Sequence, residues 1–232
     1  MTSITVIIPA YNEAGNLPGT LQEVVPLISR HFEDYEILIF DDCSSDETGK
    51  IAEEAALQNS KIKTVRNPKN MGLGYNYKTG VKMAAKDFIL MVPGDNEITS
   101  ASYERMFEVL KEGKDMVIPY TVNTEIRPMV RRFFSKAYTM LINALFGLRV
   151  KYFNGPVIHK RSLIQSVVIE TDGFAYQTEA LIKLLRQGRT YAEAGMFLKE
   201  RGYGKSKAFN LRNIYRVLKT VSQLWADNAF KK

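Results

Sequence analysis

Five short apolar runs, rich in β-branched residues, fill the first 120 residues of the chain, with helically spaced stretches between them. The runs are ITVIIPA, YEILIFDD, KIKTVRN, DFILMVP and DMVIPY. A run of this length with no polar alternation is a strand buried on both faces. The intervening stretches are NLPGTLQEVVPLISRHF, SSDETGKIAEEAALQ, GLGYNYKTGVKMAA and SASYERMFEVLKEG. They read as helices. Pro26 sits within the first and makes its spacing imperfect, and Ser45 or Asp46, with acids in the first turn, marks the start of the second. Glycines open the third, and Gly113 lies beyond the fourth. Strand and helix in repeated alternation leave few architectures open. They predict an α/β fold, an open and mostly parallel sheet with helices on both faces. Such sheets bind ligands at the carboxyl ends of their strands. The residues to inspect are therefore Tyr11-Asn12-Glu13, Asp41-Asp42, Asn67 to Asn70 and Asp95-Asn96-Glu97.

The second half reads differently. RPMVRRFFSKAYTMLINALFGL is a helix with Arg131, Arg132 and Lys136 near its start, followed by the short strand GPVIH and the helix FAYQTEALIKLLRQG. TYAEAGMFLKE is a strand and RGYGKSKAFN a basic loop. The final helix sets Ile214, Leu218, Val221 and Trp225 on one face, flanked by Arg212, Arg216 and Lys219. Residues 1–126 carry 12 Lys and Arg against 19 Asp and Glu, whereas residues 127–232 carry 20 against 6. That asymmetry points the second half at something anionic, such as phosphate or a membrane surface.

Composition closes off several classes. The chain has 232 residues, 45% of them hydrophobic and 25% charged, which suits a packed core rather than disorder. One cysteine, Cys43, excludes an intrachain disulfide and a cysteine-based zinc site. His31 and His159 have no ligand partner at useful spacing. MTSITVIIPAYNE turns polar too soon for a signal peptide, and no run reaches the roughly 18 apolar residues needed to span a bilayer. A cytoplasmic setting is expected, with peripheral contact at the cytoplasmic face of a membrane.

Each acidic cluster alone is ordinary turn or cap chemistry. Three of them at one sheet edge suit a nucleoside diphosphate site. One carboxylate accepts hydrogen bonds from base or ribose, and others hold Mg²⁺ or Mn²⁺ through oxygen. The glycines of MGLGYNYKTG are not a dinucleotide fingerprint, because the third falls at Gly80 and the preceding strand is not the first.

VIIPAYNEAGNL, YEILIFDDCSSDET, NMGLGYNYKTGV and GDNE, in this order, resemble the family 2 glycosyltransferases of GT-A fold. EIRPMVRRFFSKAY, NGPVIHKRSL, FAYQTEALIKLLRQG and ERGYGKSK resemble the branch that holds dolichol-phosphate mannose synthase and other polyprenyl-phosphate glycosyltransferases. The resemblance covers about residues 3 to 210. It implies a Rossmann-like catalytic domain over 1–210, with a nucleotide-binding half to 120 and an acceptor half beyond it. An amphipathic helix over 211–232 then follows.

The resemblance also implies roles. Pro9, Tyr11, Glu13, Asp41, Asp42, Gly72, Gly94, Asp95 and Lys207 would bind the nucleotide sugar. Asp95 and Glu97 would hold the metal, and with Arg201 would serve catalysis. Arg127, Arg131 and Arg132 would receive the acceptor phosphate. Pro93 stands where the family has the first acid of its D-x-D motif, which leaves the cation to Asp95, Glu97 and the donor's own phosphates. Lys151 stands about where relatives have an Asp, and Gly195 where they have a proline.

The expected reaction is inverting transfer from a UDP- or GDP-sugar to a polyprenyl or dolichyl phosphate. An acceptor that is already anionic needs no strong general base. A family 2 transferase acting on a saccharide or small molecule is one alternative. A catalytically silent nucleotide-sugar-binding or scaffold protein is another. The partners expected are the donor, the lipid phosphate and a membrane surface, with a homodimer or a membrane partner subunit open; nucleic acid, suggested only by net charge, is not among them.

Overall fold

The structure, a computed structural model, describes residues 3–200, 202–203 and 211–229. One sheet holds β1 (Ser3–Ala10), β2 (Asp34–Asp41), β3 (Ile62–Arg66), β4 (Phe88–Met91), β5 (Met116–Thr121), β6 (Ile158–Lys160) and β7 (Tyr191–Met196). Their order is β3-β2-β1-β4-β6-β5-β7. β6 runs antiparallel to β4 and β5, and the other pairings are parallel. Around the sheet lie α1 (Leu17–His31), α2 (Thr48–Gln58), α3 (Leu73–Met83), α4 (Ser100–Leu110), α5 (Met129–Phe146), α6 (Arg161–Ile164), α7 (Tyr176–Arg186) and α8 (Leu211–Ala229).

Both faces of the sheet are covered, which is why its strands do not alternate with polar residues. Ile4, Val6 and Ile8 of β1 and Ile37 and Ile39 of β2 point to one face, where Leu27 and Ile28 of α1 and Met106 and Phe107 of α4 close over them. Ile7, Leu38 and Phe40 point to the other, under Tyr77 of α3, Leu181 of α7, Ile142 of α5 and Val221 of α8. Each such side chain, when fully buried, contributes roughly 1.5–3 kcal/mol.

Two local features, the start of α2 and the buried face of α8, depart from the sequence reading. α2 begins at Thr48 with no acid in its first turn, because Asp46 stays outside and its Oδ1 accepts from the Thr48 amide at 3.0 Å. Pro26 lies inside α1 without ending it, on the exposed side where the carbonyl that loses its donor can meet water. On α8, Val221 and Leu224 are buried whereas Leu218 and Trp225 are about half exposed. Docking against α5 and α7 rotates the buried stripe away from the face that spacing alone picks out.

The register brings the post-strand turns together. Ala10, the end of β1, pairs with Asp41 of β2, and Met91 of β4 pairs with Ile7. The ladder runs on: the Asp42 amide donates to Ala10 O at 2.9 Å and the Gly94 amide to Pro9 O at 3.3 Å. Each of these turns holds one non-glycine residue in the left-handed region: Asn12 (φ 55°), Cys43 (φ 62°) and Asn96 (φ 54°). Asn tolerates that conformation better than Cys does. Local strain of this sort gathers at functional sites.

Candidate active site

The turns after β1 and β2 are stitched to each other. The Asn12 amide donates to Ser44 Oγ at 3.0 Å, Asn12 Oδ1 accepts from the Ser45 amide at 2.9 Å, and the Glu13 amide donates to Thr48 Oγ1 at 2.8 Å. The turn after β4 rests on α1. Thr20 Oγ1 donates to Gly94 O at 3.3 Å, and the Asp95 carboxylate accepts from the Glu97 amide at 3.3 Å. A Cβ on Gly94 would stand 3.1 Å from Pro9 O, so the two turns approach closely and a side chain there would press on the β1 backbone. The chain beyond β7 then folds back over this edge. The Lys199 amide donates to Glu97 O at 2.8 Å, and buried Asn16 bonds both ways with the Tyr203 backbone, at 3.1 and 3.2 Å.

A cleft of about 1550 Å³ opens there. Pro9, Tyr11 and Glu13 line it beside Asp42 and Gly72, and Gly94, Asp95 and Glu97 line it from the β4 side. Pro93, at the departure from the family's acid pair, lines it as well. Asp42 is 4% exposed, and its carboxylate accepts from Asn67 Nδ2 (2.7 Å), the Met71 amide (2.8 Å) and the Gly72 amide (2.9 Å). It therefore shapes the 67–72 loop while facing the cleft. Asp41 lies outside the lining. Its Oδ1 accepts from the Ser44 amide at 2.9 Å, and its Oδ2 stands 3.3 Å from Arg66 Nε. Adjacent positions at a strand end point to opposite sides, so the Asp41-Asp42 pair divides between packing and cleft.

The basic residues divide in the same way. Arg127 and Arg131 line the cleft, whereas Arg132, one position on, is exposed and outside it. Arg127 donates through an NH1 group to Tyr152 Oη at 3.1 Å, and its buried Nε has no hydrogen-bond partner among the described residues. Burial and the neighbouring Arg127 charge push the Arg131 pKa down, while the Glu97 and Asp95 carboxylates pull it back up. An acidic pair and a cationic pair thus face a common space. Arg201 and Lys207 lie outside the described residues. Lys151 is also away from the cleft: its Nζ pairs with Glu193 at 3.1 Å and sits 4.4 Å from the Tyr120 ring centre. That departure from the family pattern does not touch the site.

Among the described residues no three His, Cys, Asp or Glu side chains cluster closely enough to hold a metal by themselves. Asp95 and Glu97 still fit Mg²⁺ or Mn²⁺ that arrives with a diphosphate, since Mg²⁺ is commonly held by one or two carboxylates plus substrate phosphates.

Sequence reasoning missed the cleft's far wall. Tyr138, whose hydroxyl donates to Thr178 Oγ1 at 2.9 Å, lines it, as do Tyr152, Tyr176 and Gln177. Burial pushes the Tyr138 pKa up to about 12, so it stays a neutral hydroxyl. Nothing local marks these residues, because each reads as an apolar or helix-surface position. His159, isolated in sequence, is fully buried in β6, and burial depresses its pKa to about 3.

The Glycosyl transferase family 2 model matches residues 5–185. The dolichol-phosphate mannosyltransferase of Pyrococcus furiosus is 26% identical over 95% of this chain and 65% of its own length. The undecaprenyl-phosphate 4-deoxy-4-formamido-L-arabinose transferase of Proteus mirabilis is 27% identical over 62% of this chain and 43% of its own. Both relatives are thus considerably longer than the part matched here. Glucosyl-3-phosphoglycerate synthase from Mycobacterium tuberculosis, solved with UDP, superposes with a TM-score of 0.74 at 16% identity, covering 97% of this chain and 80% of that one. Further structures of that synthase hold Mg²⁺ or Mn²⁺ with UDP. The shared architecture is the GT-A fold. With a family model spanning most of its length and the sheet, edge and cleft described above, this chain belongs to glycosyl transferase family 2.

Proposed function

We propose that the cleft transfers a sugar from a UDP- or GDP-sugar to a polyprenyl phosphate, with inversion at the anomeric carbon. The observation that carries this reading is the meeting of Asp95 and Glu97 with Arg127 and Arg131 in one cleft. The nucleotide lies along Pro9, Tyr11, Glu13, Asp42 and Gly72. Asp95 and Glu97 hold the cation, which when bound supplies positive charge to the leaving diphosphate. Arg127 and Arg131 hold the acceptor phosphate, for which guanidinium is well suited. A phosphate oxygen bonds to the anomeric carbon as the bond from that carbon to the diphosphate oxygen breaks, and the electron pair leaves with the nucleoside diphosphate. The acceptor enters as an anion, so no proton need be removed. The names of both relatives support a polyprenyl-phosphate acceptor.

Arg132 takes a different part in this reading. It shares an exposed face of α5 with Lys136 and the apolar Met129, Phe133 and Met140, which are 79%, 69% and 63% exposed. A basic, apolar helix face of this kind suits a membrane surface. No helix among the described residues is long and apolar enough to cross a membrane.

The test is a transfer assay with UDP- and GDP-sugars, Mg²⁺ or Mn²⁺, and either a polyprenyl phosphate or a free saccharide. Transfer to the lipid is expected, and Asp95→Asn should lower it by at least about a hundredfold, the scale of losing a key electrostatic contact to the transition state, with the melting temperature unchanged. Turnover on the saccharide alone would replace the lipid reading. Asp95→Asn turnover equal to wild type at limiting metal would remove the metal assignment.

A further inference from the structure

Beneath the cleft lies a pair of buried polar side chains that the reading above leaves without a role. Gln177, in the first turn of α7, is 2% exposed and lines the cleft. Its Nε2 is 3.0 Å from Nε2 of His159, which is fully buried. His159 is flanked across the sheet by Ile89 and Met116, both fully buried, so its ring lies within the core. The two side chains bond each other, and among the described residues Gln177 Oε1 and His159 Nδ1, both buried, have no hydrogen-bond partner. The ring therefore holds one end of the amide. Whichever way round the amide sits, its other polar end is left over in a residue of the cleft wall. Buried polar atoms in native proteins are nearly always satisfied, and an orphan calls for an explanation such as a ligand or a water.

We propose that the free end of the Gln177 amide hydrogen-bonds a hydroxyl of the donor's sugar, making Gln177 a determinant of which sugar is accepted. This rests on the reading of the cleft as a nucleotide-sugar site. The anionic parts of the two substrates have charged partners of their own, a cation at Asp95 and Glu97 for the diphosphate and Arg127 and Arg131 for the acceptor. A neutral amide offers little to a phosphate. A sugar hydroxyl both donates and accepts, so it satisfies either end of the amide. A site built around such a bond discriminates against analogues that lack the hydroxyl. His159 acts as a positioning residue, holding the amide in one orientation.

Calorimetry on the full chain separates this from a purely structural role. Wild type and Gln177→Leu, close in volume and apolar, are titrated with UDP and UDP-glucose, UDP and UDP-N-acetylglucosamine, and GDP and GDP-mannose, all in Mg²⁺. For the pair that wild type binds, Gln177→Leu should weaken the nucleotide sugar on the order of fivefold to tenfold, one hydrogen bond's worth, and leave the bare diphosphate unchanged. Equal effects on both ligands, or none on either, overturn the proposal and would assign the orphan atoms to a bound water or to packing. Should the variant not fold, deoxy-sugar analogues of the bound donor are titrated against wild type. One of them should lose the same factor, and a series that loses nothing overturns the proposal. A wild-type chain that binds no pair at all removes the nucleotide-sugar reading itself.

Discussion

Asp41 and Asp42 are neighbours of identical chemistry, yet one carboxylate is spent on Ser44 and Arg66 and the other turns to the cleft. Residue type marked both as candidates, and strand geometry separated them. Arg131 and Arg132 divide for the corresponding reason, since about 100° of helix rotation lies between adjacent positions. His159 is the converse case. The sequence excludes a metal role by its isolation but says nothing of its burial, which comes from β6 sitting between β4 and β5. That burial has a measurable consequence. The folded-state pKa of about 3 lies below the ordinary value near ~6.5. Between these values the unfolded chain binds the extra proton, so stability is complete above pH ~6.5 and falls as the pH drops toward 3. Melting temperatures measured from pH 7.5 to 5 should decline for wild type and decline less for His159→Leu. Parallel curves would show that His159 does not titrate in this way.

At the scale of elements, α5 serves two surfaces at once. Arg131, Phe134, Tyr138 and Leu141, spaced three and four apart, line the cleft, while Met129, Phe133, Lys136 and Met140 repeat on an exposed face. The apolar and basic content of this segment is plain in the sequence, but the assignment of each face needed the cleft. α3 makes the same point through its glycines. Gly72 caps the helix at φ 96°, as its sequence position suggests. Gly74 is one of the glycines of MGLGYNYKTG, and the structure gives it a reason. A Cβ there would lie 2.7–2.8 Å from backbone atoms of Thr171, Asp172 and Gly173. That loop is itself pinned, since the buried Glu179 carboxylate accepts from the Glu170 amide at 2.8 Å and the Thr171 amide at 3.0 Å. Helix propensity alone would have Gly74→Ala stabilise by ~1 kcal/mol. Close approach to backbone should win, and urea denaturation is expected to show a loss of roughly 1–3 kcal/mol. A gain in stability would mean that the loop yields.

At the scale of the whole molecule, the acidic first half supplies the cleft edge that carries Asp42, Asp95 and Glu97, and the basic second half the far wall and the exposed face of α5. If that face meets a membrane, the full chain should co-sediment with phosphatidylglycerol vesicles at low salt. Binding should fall with rising salt, as expected for basic residues worth about 1 kcal/mol each near such a surface. It should fall again in the double variant Met129→Glu, Phe133→Glu. Absence of binding at every salt concentration would leave α5 as a face for another protein chain.

By itself the sequence determined the strands, most of the helices, the mostly parallel sheet and the acidic edge on which Asp42, Asp95 and Glu97 stand. Those features follow from periodicity and burial, which are recorded within a few neighbouring positions. Only the tertiary structure decided that Arg127 meets Tyr152, that Gln177 meets His159, that Asn16 holds Tyr203, and that Asp41, Arg132 and Lys151 stand outside the cleft. Such meetings depend on how helices rotate and loops close over the sheet, which residues far apart in the chain settle together. No local pattern records them.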